Sequence, residues 1–224
     1  RVALVSKEVE EDRIALAFPG PSSADERGVL SELLASLFGG SENSISYKRL
    51  VRDEDVFNDI QCSTLQQAPG GAFLVNGWST PGGLPRRVKA LLELLSSIRD
   101  APPERTVLDR AVRRLTYDRI FQRETVEGEA SRLGLNECVY GDPHHDQRHQ
   151  ELLQSITPRD LQDYAHEIIQ GEQVSFAAML SDESSARKWM ASGEAEDLIQ
   201  GSLRPARRQK RARPEAAATL RFEP

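Results

Sequence analysis

The order in which strand-like and helix-like runs follow one another constrains this chain most. Arg13 to Phe18 (RIALAF) is short, apolar and rich in strand formers, and Pro19-Gly20-Pro21 stops it. Ser23 followed by Glu26 has the spacing of a capping box, and Val29, Leu30, Leu33, Leu34, Leu37 and Phe38 then keep helical spacing up to Gly39-Gly40. A shorter helical stretch covers Tyr47 to Asp53. The runs Val56 to Leu65 and Gly71 to Ser79 read as an antiparallel strand pair joined through Pro69-Gly70-Gly71. Helical spacing returns from Leu84 to Ile98 and then from about Glu104 to about Leu133, with Leu108, Ala111, Val112, Leu115, Ile120 and Phe121 expected to face inward. Further helices open near His145 and at Thr157-Pro158, where threonine caps and proline fits the first turn; Val174 to Leu180 is the last strand, with a helix after it. This order lacks the alternation of a doubly wound parallel sheet. It predicts an α+β fold, a layer of helices against a mostly antiparallel sheet.

With 224 residues, the chain can bury one good core, and the predicted division is one domain over 1–202 and a basic linker or tail over 203–224. The net charge of -6 is uneven: the last 22 residues hold seven Lys/Arg against two Asp/Glu, so that the tail is +5 and the rest -11. No apolar run approaches the roughly 18 residues that span a bilayer. The start RVALVSKEVEEDR has neither an apolar signal core nor a methionine, which reads as an excised domain. Two cysteines, Cys62 and Cys138, are too few and too far apart for a disulfide framework or a cysteine zinc site, and the redox compartment stays open.

Several segments in sequence, RIALAFPGPSSAD leading to LLASLFGG, then YKRLVRDEDVFNDIQCS, LDRAVRRL, YGDP and SITPRDLQDYA, resemble the second, non-zinc-binding domain of a bacterial insulinase/pitrilysin-type zinc metallopeptidase. The resemblance covers roughly residues 10–182 and rests on the order and spacing of these segments. It implies paired α+β domains enclosing a chamber, with the zinc and the water-activating glutamate supplied by an HxxEH helix of another domain. This chain contains no HxxEH. Active halves also carry a stretch resembling SRLYxxLRExxGLAYS, whose arginine and tyrosine stand near the substrate. Laid on residues 44–58 without gaps, Ser44, Tyr47 and Leu50 match, but Val51 takes the arginine position, Asn58 the tyrosine position and Asp55 the glycine position, with Arg52 one residue off register. The departures match the branch reading RLVxxxxxAxxVSA.

The resemblance therefore carries over no catalytic, cofactor-binding or metal-binding residue and no cofactor of the chain's own. It implies a non-catalytic domain of a zinc-dependent endopeptidase, inactive alone, paired with a catalytic domain in cis or trans around a peptide substrate, in a bacterial periplasm or cytoplasm. The alternative is a pseudoenzyme scaffold of the same fold.

Other features compete with this reading. His145, Asp146 and His149 place two histidines at i, i+4 on one helix face with an acid at the base position of an HExxH zinc helix. Aspartate is one methylene too short for that task and no third ligand is evident, so an exposed polar helix start is the preferred reading. His166 is assigned to a helix surface, and Cys62 and Cys138 have no basic neighbours in sequence to activate them. Arg204 to Arg213 (RPARRQKRAR) has the charge to meet phosphates, but no aromatic residue interleaves and the body is acidic. A solvated linker with no nucleic-acid partner is preferred. Gly70-Gly71 and Gly82-Gly83 stand in neither GxxxxGK[ST] nor GxGxxG and are read as turns.

Overall fold

The computed structural model describes residues 1–181, 188–189 and 193–203. The basic stretch 204–213 lies outside the described residues.

Five strands form one sheet: β1 (Val2–Ser6), β2 (Asp12–Gly20), β3 (Asp59–Gln67), β4 (Gly70–Ser79) and β5 (Ser175–Leu180), in the order β1-β5-β2-β4-β3. Every neighbouring pair is antiparallel except β1 with β5. Period-two alternation sets the faces. Ile14, Leu16 and Phe18 of β2 stand level with Gly77, Val75 and Phe73 of β4, and Phe176 and Ala178 of β5 continue the same rows. Leu16, Phe73 and Val75 are completely buried, each worth about 1.5–3 kcal/mol relative to an exposed side chain. The alternate positions on the other face, among them Arg13, Ala15, Asn76, Trp78 and Ala177, stay half-exposed or exposed.

Helix α1 (Gly28–Gly39) lies against β3 and presents Leu33, Leu34, Leu37 and Phe38 to the core. Helix α2 (Leu84–Asp100) buries Val88, Leu91, Leu92, Leu94 and Leu95. Helix α6 (Pro158–Ile168) packs against α1 and α2 with Leu161, Tyr164, Ala165 and Ile168. Thr157 caps α6 as its sequence predicts: Asp160 N donates to Thr157 Oγ1 while Thr157 N donates to Asp160 Oδ2 at 2.9 Å. Gly77 is required where it stands, because a Cβ there would lie 2.7 Å from Cε1 of Phe57.

Four expectations are corrected. Ser23 and Glu26 form no capping box: α1 starts at Gly28 without a side-chain cap, because Ser23 N is tied to Gln67 O at the end of β3 and Glu26 pairs with Arg148. The helix expected over Glu104–Leu133 is two, α3 (Arg105–Gln122) and α4 (Val126–Tyr140), with Thr125 accepting from Gly128 N at 3.0 Å to cap the second. Ile120 and Phe121, expected inside, are 52% and 63% exposed, since they stand off the stripe of α3 that carries Leu108 and Ala111 and on which Arg119 reaches Glu32 of α1. The strand expected from Val56 begins at Asp59, because Val56 N and Phe57 N both donate to Leu50 O and close a bend there. Strand β1, whose Val2-Ala3-Leu4-Val5 run was not among the expected strands, pairs with β5.

Helix α5 (His145–Ser155) runs from α4 toward α6, and α7 (Glu194–Ser202) packs on α2. The stretch Tyr47–Asp53 is a π-helix. The chain is thus α+β, with helices covering one face of a mostly antiparallel sheet.

Candidate functional site

The His145-Asp146-His149 set lies where α5 meets α1, α3 and α4, beside an open cleft of about 890 Å³. The i, i+4 spacing puts both histidines on one side of α5, with ring centroids 6.3 Å apart. Each is already engaged. His145 stacks on Tyr140 at the end of α4, centroids 3.7 Å apart and 6° from parallel. Asp146 Oδ2 accepts from Arg132 Nη1 of α4 at 2.6 Å.

His149, expected at an exposed helix start, is instead 8% exposed. Its Nε2 sits 2.9 Å from Arg119 Nη2 of α3 and 3.3 Å from Glu32 Oε2 of α1, while Arg119 Nη2 donates to Glu32 at 2.9 Å. Nε2 thus lies between a guanidinium, which can only donate, and a carboxylate, which can only accept, and the other ring nitrogen is Nδ1. That nitrogen is buried with no hydrogen-bond partner. The site is a helix-to-helix brace.

The local charges follow the same packing. Burial works to raise the Glu32 carboxyl, but the hydrogen bonds and charges of His149 and Arg119 hold it below its ordinary value. Burial, and then the neighbouring His149, push His145 down. Burial also opposes the ionised form of Asp146, and Arg132 with Asn136 outweighs it. Arg132, followed by Arg123, brings Glu129 down to about 2. A base for metal-bound water would need a free carboxylate beside open histidine nitrogens, and Asp146 is committed to Arg132 instead. Among the described residues no group of three or more His, Cys, Asp or Glu side chains is placed to hold a metal ion. These residues offer no donor set that fits the zinc implied by the resemblance, which it assigns to another domain.

The positions that would assist a substrate serve other ends. Val51 packs partly buried against the core. Asn58 Nδ2 donates to Glu11 Oε1 at 2.8 Å, and Arg52 pairs with Asp53 on the surface. Asp55, on the expected glycine position, has φ 48°, the one positive φ outside glycine among the described residues, so the backbone keeps a conformation that glycine suits best. Cys62 packs under Gly39 and burial pushes its thiol up; Cys138 is exposed on α4. His166 is half-exposed on α6. Gly82 and Gly83 both take positive φ in the turn before α2. Gly82 N donates to the buried Asp12 at 2.9 Å and Arg87 donates to Gly82 O, so this turn is built by side chains and holds no phosphate cradle.

Glu32 and Arg119 were not visible as partners of His149 in the sequence. Each sits on a helix whose apolar spacing says which face is buried, but nothing local says that α1, α3 and α5 converge.

Comparison with known proteins then adds a family. The profile described as "Peptidase M16 inactive domain" matches residues 1–115, about half of the chain. A protease from Helicobacter pylori superimposes with a TM-score of 0.71 at 21% identity, over 80% of this chain and 44% of that one. A peptidase M16 inactive domain from Pseudomonas fluorescens gives 0.72 at 11% identity, over 81% and 43%. An inactive peptidase domain from Bordetella parapertussis gives 0.67 at 16% identity, over 75% and 91%. At these identities the structures show the shared fold. The chain spans less than half the length of the Helicobacter and Pseudomonas chains. No curated protein matches it. On the family match, with a fold shared over 75–81% of its length, this chain belongs to the family of peptidase M16 inactive domains.

Proposed function

We propose that the chain is the non-catalytic domain of a zinc-dependent metalloendopeptidase, one wall of a chamber that encloses a peptide while zinc and the general base come from a catalytic domain in cis or trans. The observation that carries the proposal is the diversion of the His-Asp-His set on α5 into structural pairs, in a chain of the inactive-domain family. The physical logic is a division of labour: metal-activated water needs a fixed site in one body, and a facing body excludes bulk solvent and retains the chain to be cut. The half-exposed face of the sheet supports a wall role, because one side is packed by helices and the other offers a broad surface.

The domain is assigned to 1–202 with the basic linker after it. Ser96 Oγ donates to Ser202 O at 2.7 Å and the buried Arg99 donates to Leu203 O at 2.7 Å. Leu203 is itself fully buried.

The replacement of arginine and tyrosine by Val51 and Asn58 is equally compatible with a second reading, a scaffold of the same fold in an assembly without peptidase activity. Elemental analysis of the purified chain beside a quenched-fluorescent peptide assay, with and without chelator, tests the first reading. The expected result is no stoichiometric zinc and no cleavage. Chelator-sensitive cleavage by the chain alone refutes it. An HxxEH motif in the protein that copurifies from the native source favours the peptidase, and a partner lacking it favours the scaffold.

A further inference from the structure

Helix α4 differs from the other long helices in what holds it. It buries only Asn136, a polar side chain, while its Val126, Leu135 and Val139 are 90%, 61% and 42% exposed. Helix α2, of similar length, buries Val88, Leu91, Leu92, Leu94 and Leu95. Fifteen residues with so little burial make a helix that is marginal by itself in water. Gly134 lowers its propensity further and serves no packing there, since a Cβ would meet nothing within 4 Å.

What docks α4 is polar and falls mainly on one neighbour, α5. Arg132 Nη1 donates to Asp146 Oδ2 at 2.6 Å and to Pro143 O at 3.2 Å, Asn136 Nδ2 donates to Pro143 O at 3.4 Å, and Tyr140 stacks on His145. Helix α5 has anchors of its own. Its Leu153 is completely buried, and its His149 is tied to Arg119 of α3 and Glu32 of α1. The chain leading into α4 is exposed over 121–127, and Gly141, at φ 69°, follows the last turn, so both ends can reorient without disturbing the core.

From this arrangement we infer that α4 is a detachable flap, which undocks from α5 and unwinds while the sheet and the remaining helices stay folded. Elements with few buried apolar contacts open locally at a fraction of the global cost. Opening removes one wall of the cleft of about 890 Å³. It takes Arg132 from Asp146 and Tyr140 from His145, so these two α5 side chains become accessible together, while His149 stays with α1 and α3. The flap thus gates access to the polar side of α5.

Hydrogen exchange of the 224-residue chain, followed by mass spectrometry over peptides from α4 and α2, tests this. The expected result is exchange about 100-fold faster in α4 than in α2 after correction for intrinsic rates. Arg132→Gln should speed α4 by about 10-fold more and leave α2 unchanged. Adding Asp146→Asn to it should speed α4 by less than Asp146→Asn does alone, since both act through one pair. Gly134→Ala, which touches no docking partner, should slow α4 by about 5-fold. Amides of α4 as protected as those of α2 overturn the inference. So do Arg132→Gln leaving α4 unchanged or speeding α2 equally, fully additive effects of Arg132→Gln and Asp146→Asn, and Gly134→Ala without slowing.

Discussion

Alanine substitution of the two α5 histidines separates a structural role from a metal role. His149 is 8% exposed and shares Arg119 Nη2 with Glu32 at 2.9 Å. His149→Ala removes a buried ring, leaves a cavity among three helices and takes one hydrogen-bond partner from the Arg119–Glu32 pair. Partial collapse of such a site and the lost hydrogen bond together cost about 2–3 kcal/mol. In a protein of this size that is a fall of roughly 4–12 °C in Tm. His145→Ala loses a stacked contact with Tyr140 at a half-exposed position, about 0.5–1.5 kcal/mol. Urea unfolding followed by circular dichroism, repeated with zinc and with chelator, reads both quantities. The expected result is a larger deficit for His149→Ala than for His145→Ala, with neither value moved by zinc. Equal deficits that appear only in zinc would refute the reasoning, because two ligands of one metal lose the same binding energy.

Three further outcomes follow from the packing. Gly77→Ala should destabilise by about 1–3 kcal/mol, measured by urea midpoint, since its Cβ would lie 2.7 Å from the Phe57 ring. Asp55→Gly should be neutral to stabilising by up to about 1 kcal/mol while Asp55→Val costs about 1–3 kcal/mol, because the residue sits at φ 48°; thermal unfolding of both variants decides. The Glu32 carboxyl is held below its ordinary value, so its contribution is complete above the unfolded value near 4.3 and is lost as pH falls through the lowered folded value. Glu32→Gln should accordingly flatten the pH dependence of stability below about pH 4.5 and lower stability at pH 7, read from unfolding midpoints at pH 7, 4 and 3.

The elements whose instructions are local were readable from the chain. RIALAF announces β2, although the strand runs on through Pro19 and Gly20 where a stop was expected; Thr157-Pro158 with Asp160 starts α6 by a cap made of neighbouring atoms; the Leu84–Ile98 spacing places α2 and its buried face. The expected glycine at Asp55 was legible in the backbone, because a left-handed φ is a property of one residue. Elements with remote instructions were not. Strand β1 is a strand because β5, more than 170 residues later, offers it a ladder. The break between α3 and α4 is fixed by Thr125 and by Gly128 lying against Gln122 O, where apolar spacing alone continued the helix.

The sequence by itself determined the α+β class, the helix faces that form the core and the missing HxxEH, since periodicity and motif are properties of neighbours along the chain. Only the tertiary structure decided what the α5 histidines do. Whether an imidazole binds metal or braces helices depends on which side chains other elements bring within about 3 Å of its nitrogens, and here those are Arg119 of α3 and Glu32 of α1. It also decided that Ile120 and Phe121 face outward, because burial is set by which side of a helix its neighbours cover, and α1 meets the side of α3 that carries Arg119.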